Sequence, residues 1–263
     1  VIISYCTDNY FRWVELFLKS FEKTNTFEKI YINACNLSSN QIDTLRNVTI
    51  NNEILDFSDI RERLNISQSE FQSVRTKVAE GIRSTDSIVR NVMTYFAVDR
   101  RVENLYRTII ENPEEEYFWH FDVDIIFRGQ IRTPVTDFAA RFQDTDLDCR
   151  KIPIGILFLR NTSSIVKLIK DWHDIIRDTD IRDRNTVDPN KKLYGQYTFY
   201  QAYLKNKDNF DITELPVSYL DSNWSEESVI WSANKRLSYD FIPTGSAGNK
   251  TNTYRFFVNE VNK

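Results

Sequence analysis

Residues 117–129 read YFWHFDVDIIFRG: five mostly apolar residues run straight into Asp122-Val123-Asp124, and a second apolar run, 125–127, follows at once. Aromatic and β-branched residues in an unbroken run suit a strand with little solvent on either face. The two carboxylates then fall where the strand ends. Being two apart, they point to opposite faces of a regular strand, so both serve one ligand only if the backbone bends there or water mediates one contact. The carboxyl edge of an open α/β sheet is the usual ligand crevice. Two hard oxygen donors at that edge suit Mg²⁺ or Mn²⁺, with the other positions left to waters and substrate phosphates. The plain alternative is a strand end solvated by two acids.

Working outward, the chain predicts an α/β fold. Residues 1–6 form a buried strand, followed by the polar turn Thr7-Asp8-Asn9 and by a helical stripe, Phe11, Val14, Leu18 and Phe21, over 10–22. Residues 29–34 (KIYINA) and 53–57 (EILDF) are two further strands, with a Ser-capped helix over 38–46 between them. Alternating strands and helices favour a mostly parallel sheet, whose carboxyl edge would gather Thr7, Asp8, Asn36 and Asp56 beside the Asp pair. Residues 67–112 carry a helical pattern with basic residues that include Arg75, Lys77, Arg83 and Arg90. Most such charges are solvated, but Lys77, Arg83 or Arg90 would meet a diphosphate if the helix packs beside the Asp pair. Residues 133–151 are expected to be irregular. A strand over 152–159 (IPIGILFL) is broken by Gly155, one of six glycines, which marks a bulge or the close approach of a ligand. Thr162 or Ser163 then caps a helix over 165–176. His173 is expected on its surface or in an interface, and His120 as a satisfied, partly buried residue.

Composition sets the outer limits. The chain's 263 residues and 41% hydrophobic content supply a full core, and the net charge of −4 argues against nucleic acid as a partner. Cys6, Cys35 and Cys149 are too few and too scattered for a disulfide framework or a zinc site, which favours a reducing compartment. No run is long enough for a membrane span, and no basic stretch precedes an apolar one at the start, so no signal peptide or anchor is expected and the location reads as cytoplasmic. The missing initiator Met points to trimming at this end. Together with six Asn-x-Ser/Thr sequons, at Asn36, Asn47, Asn65, Asn161, Asn223 and Asn249, that keeps a secretory location, the Golgi lumen, as the alternative.

In this order, FWHFDVDIIFRG, PIGILFLRNTSSIVKLIKDWHDII and YGQYTFYQAY, the segments resemble the nucleotide-diphospho-sugar transferases, metal-dependent glycosyltransferases of the GT-A fold. The resemblance implies one domain over 1–263, a Rossmann-like, mostly parallel mixed sheet flanked by helices, with a donor half over 1–129 and an acceptor half over 130–263. It implies transfer of a hexose or pentose from a nucleotide-diphosphate sugar, UDP-sugar favoured, to a glycan or other hydroxyl acceptor, with retention. Asp122 and Asp124 would hold Mn²⁺ or Mg²⁺, Thr7, Asp8 and Tyr10 the nucleoside, Gly155 would lie by the sugar or acceptor, and Gln196 near the anomeric carbon. The family's Asp-Gln pair is here Gly195-Gln196, and no late His supplies a third metal ligand. Residues 244–250 (TGSAGNK) still offer Gly245 amides and Lys250 to a phosphate, with Asn249 or a water in place of that His. Asp221 is the best acceptor-side acid or base, against a turn-forming reading of the same residue. Two other classes compete: a haloacid-dehalogenase-type phosphatase with Asp122 as nucleophile, and a carbohydrate-binding domain of this fold without turnover, with Trp224 and Trp231 as stacking surfaces.

Overall fold

The computed structural model of the chain describes residues 1–26, 29–55, 58, 61–62, 65–79, 99–179, 194–233 and 250–263. Strand β1 (Ile2–Thr7) pairs in parallel with β2 (Ile30–Cys35) on one side and with β4 (Tyr117–Asp122) on the other. Strand β3 (Thr49–Glu53) adds in parallel outside β2. Beyond β4 the direction changes: β7 (Ile156–Arg160) runs antiparallel to it, followed by β6 (Phe138–Ala140) and β8 (Ile212–Glu214). The result is a seven-stranded mixed sheet in the order β3-β2-β1-β4-β7-β6-β8. Strand β5 (Ile125–Phe127) leaves this sheet and pairs antiparallel with β9 (Ile230–Ser232).

Helices cover both faces, as a sheet with buried strands requires. Helix α1 (Phe11–Thr24) turns Trp13, Val14, Phe17 and Phe21 onto one face, where α8 (Lys250–Asn262) joins it; Phe257 meets Trp13 edge-on at 6.1 Å. The other face carries α4 (Arg101–Glu111), α6 (Ser163–Arg177) and α7 (Tyr194–Asn206), with Leu105, Trp172 and Phe199 at its centre. Helices α2 (Ser39–Thr44), α3 (Gln68–Ala79) and the single turn α5 (Asp148–Lys151) are further described elements.

Local signals place most of these. Ser38 and Gln41 form a reciprocal capping box at α2, and the Thr162 hydroxyl accepts from the Ile165 N–H at the start of α6. Four expectations change. The third strand lies four residues earlier than the apolar run 53–57, because an edge strand is fixed by its ladder to β2 and by Asn51 donating to Asn33 at 3.0 Å, not by a continuous apolar pattern; Asp56 lies outside the described residues. Residues 133–151 are not irregular throughout: they hold β6, all three residues buried, and α5. Strand β7 begins only after Gly155. His120 is buried, and neither ring nitrogen meets a hydrogen-bond partner among the described residues.

Candidate active site

The strand order reverses between β1 and β4, and a crevice at such a switch point is where open α/β sheets take ligands. Asp122 closes β4 there, in register with Tyr5 of β1. The backbone bends at Val123 and Asp124 before β5 begins, so the condition for both acids to serve one ligand is met. The bend is fixed from two directions. The Asp122 N–H donates to the Gly155 carbonyl at 2.9 Å, and the Asp124 carbonyl accepts from the Ala233 N–H at 2.9 Å.

Both acids are half-buried. Arg101, at the first turn of α4, pairs through its guanidinium with Oδ1 of Asp122. Gly155 stands on the other side of the same carboxylate: a Cβ built there would lie 3.0 Å from Oδ2. Where a bulge or a ligand was expected at this glycine, the near neighbour is the Asp122 side chain. Asp122 and Asp124 offer hard carboxylate oxygens of the kind that Mg²⁺ and Mn²⁺ take, ions that keep waters and take phosphate oxygens for their remaining positions. No group of three His, Cys, Asp or Glu residues suited to a metal occurs among the described residues.

Next to Asp122, Thr7 ends β1 and Asp8 to Tyr10 form a single 3₁₀ turn into α1. The turn is held from outside by Gln41, whose side-chain amide donates to the Asp8 carbonyl at 3.4 Å. Below it the Tyr5 hydroxyl donates to Cys35 Sγ at 3.1 Å, and burial followed by the neighbouring Cys35 raises the Tyr5 pKa. Glu53 at the end of β3 pairs with Arg100. Sequence reasoning missed Arg100, Arg101 and Glu53 as members of this edge. The signal was present: a helix that leads into a parallel strand runs antiparallel to it, so the first turn of α4 had to lie at the carboxyl edge.

The remaining candidates separate. Asp221 is 3% exposed, and its carboxylate accepts from the Asn223 and Ser225 N–H groups and the Ser228 hydroxyl, each at 2.7 Å. Burial pushes its pKa up, but these donors outweigh it and hold the carboxyl below its usual range. This is a turn-forming aspartate with its oxygens engaged by its own loop. Gln196 lies in the first turn of α7, half-buried beside buried Gly195. Trp224 and Trp231 are not surfaces for stacking: both are buried against Phe256 and Phe257 of α8, and their indole N–H groups donate to the Ser232 and Ser225 carbonyls. His173 is interfacial as expected, stacked on Tyr106 of α4 at 5.2 Å. Lys77 falls in α3 and Lys250 opens α8, with their side chains outside the description. Arg83, Arg90, Gly245 and Asn249 lie outside the described residues altogether.

Among solved structures, that of an active-site glutamine-to-glutamate variant of LgtC superimposes with a TM-score of 0.53 at 9% identity, covering 99% of this chain and 96% of that one. The chain has a GT-A fold. The glycosyltransferase GlyE of Streptococcus pneumoniae TIGR4 also matches, with a TM-score of 0.50 at 12% identity over 99% of this chain, which spans 63% of GlyE. No family model and no curated protein matches the chain. Within the GT-A fold the antiparallel β7 lies directly beside the Asp-bearing strand, and Gly155 at its entrance touches Asp122. No described helix is long and apolar enough to cross a membrane.

Proposed function

We propose that this chain is a metal-dependent glycosyltransferase that moves a hexose or pentose from a nucleotide-diphosphate sugar, UDP-sugar favoured, to a glycan or other hydroxyl acceptor with retention. The observation that carries the reading is the position of Asp122 at the β1/β4 switch point, beside the Asp8 turn, in a GT-A fold. Asp122 and Asp124 would hold Mn²⁺ or Mg²⁺, which neutralises the charge that builds on a departing diphosphate. Thr7, Asp8 and Tyr10 bind and orient the nucleoside. Arg101, already paired with Asp122, adds positive charge at the same edge, and Lys77, Arg83, Arg90 and Lys250, with the Gly245 amides, supply the further phosphate contacts. Asn249 or a water completes the ion's protein side. Gln196 faces the sugar from the first turn of α7.

Calorimetric titration with UDP-, GDP- and CMP-sugars in Mn²⁺, repeated in EDTA, tests the proposal. Binding of one donor that disappears in EDTA and in Asp124→Ala, with the fold of that variant intact, is the expected result. Retained affinity in Asp124→Ala counts against the metal site, and no binding of any donor to folded protein sinks the reading. Gly195, where a carboxylate would otherwise accompany Gln196, favours one second reading: donor binding without transfer. Release of free nucleoside diphosphate on adding acceptor separates the two. The phosphatase reading has lost its scaffold with the GT-A fold.

A further inference from the structure

The Asp122 carboxylate is confined on two sides. Arg101 engages Oδ1, and the bare Cα of Gly155 faces Oδ2, where an added Cβ would sit 3.0 Å from Oδ2, 3.5 Å from Cγ and 3.7 Å from Leu220 Cδ1. The first of these is tighter than nine in ten real Cβ contacts. The backbone at Gly155 does not occupy the left-handed region, so glycine is needed for space and not for conformation. Nor can the two residues drift apart to admit a methyl group, because the Asp122 N–H is hydrogen-bonded to the Gly155 carbonyl at 2.9 Å and β4 and β7 continue that ladder from Phe121 and Ile156. The side chain must yield instead, and on its far side Arg101 is itself only 13% exposed.

We infer that Gly155 is a positioning residue for Asp122: by presenting no side chain, it sets the direction in which the carboxylate points and keeps it on Arg101. What the carboxylate points at rests on the reading of Asp122 as an ion ligand; the steric confinement does not. Adding one methyl group at residue 155 pushes the carboxylate by a few tenths of an ångström, against Arg101, and redirects its Oδ2. The effect therefore passes entirely through Asp122.

The test is a cycle of Gly155→Ala, Asp122→Ala and the double variant, read by melting temperature and by calorimetric titration with Mn²⁺ alone. Gly155→Ala should lower the melting temperature and weaken Mn²⁺ binding tenfold or more. In the Asp122→Ala background, which removes the atoms that the methyl group would meet, the same substitution should leave the melting temperature unchanged. An equal loss in both backgrounds overturns the inference, because the glycine would then be making room for Leu220 or the backbone. A tenfold-intact Mn²⁺ affinity in Gly155→Ala, where the parent protein binds the ion, also overturns it. Should Gly155→Ala fail to fold, a folded double variant supports the inference and an unfolded one refutes it. If the parent protein binds no Mn²⁺, the metal reading falls while the thermal cycle still decides the confinement.

Discussion

Asp221 and His120 show how burial and bonding give two residues opposite acid responses. The Asp221 carboxyl is held below its usual range by its own loop, so it titrates lower in the folded state than in the unfolded chain. Its stabilisation is complete above the unfolded value, about pH 3.9, and is lost as pH falls through the folded one. Asp221→Ala leaves buried donors unmet and should cost about 2–4 kcal/mol in denaturant titrations. A catalytic base without this structural role would leave stability untouched. His120 is lowered to about 3 by burial and then by Arg101. The unfolded imidazole takes up its proton near pH 6.5 and the folded one does not, so stability falls with acidity between those limits, by up to about 1.4 kcal/mol per pH unit. Stability measured against pH should flatten across that window in His120→Leu. The motif Asp122-Val123-Asp124 was legible because its chemistry is local, whereas Arg100 and Arg101 read as ordinary helix charges until the sheet gave them neighbours.

At the scale of elements, periodic patterns and caps were legible and short pieces were not. The stripe over 10–22 became α1, and the Thr162 cap became the start of α6. Thr162→Ala should cost about 1 kcal/mol of stability, read from the urea midpoint. The strand that ends at the Asp pair was legible, but not that the second apolar run, 125–127, joins a different sheet, since hydrophobicity records burial and not which neighbour provides it. Strand β6, three residues long, and the single turn α5 are too brief for any periodicity to declare them. Helix α8 depends on aromatic packing for its place. Phe257 is fully buried between Trp13 and Trp224, so Phe257→Ala should cost about 3–5 kcal/mol and raise amide exchange along residues 250–262 above that of α6.

Across the whole molecule, the sheet order joins residues 1–129 and 130–263, the proposed donor and acceptor halves, in one fold. Strand β4 of the first half needs β7 of the second to cover its outer edge, and α1 needs α8. A fragment of residues 1–129 should therefore lack a cooperative thermal transition; a sharp one would show that the half folds alone. The sequence pattern carried the α/β class and the place of the acids, because strand ends gather at one edge whatever the loops do. It could not carry the closure of the chain on itself, which depends on contacts between residues more than a hundred apart.

That closure has a temporal side. The Ala233 N–H on the Asp124 carbonyl, and α8 on α1, join segments made earlier in the chain to segments made much later. On a ribosome the acids emerge long before the segments that fix their bend, and helix α1 waits with its aromatic face uncovered until residue 257 has left the exit tunnel. The bend that carries the candidate site is thus fixed only after residue 233 has been made, and α1 keeps its aggregation risk until α8 follows.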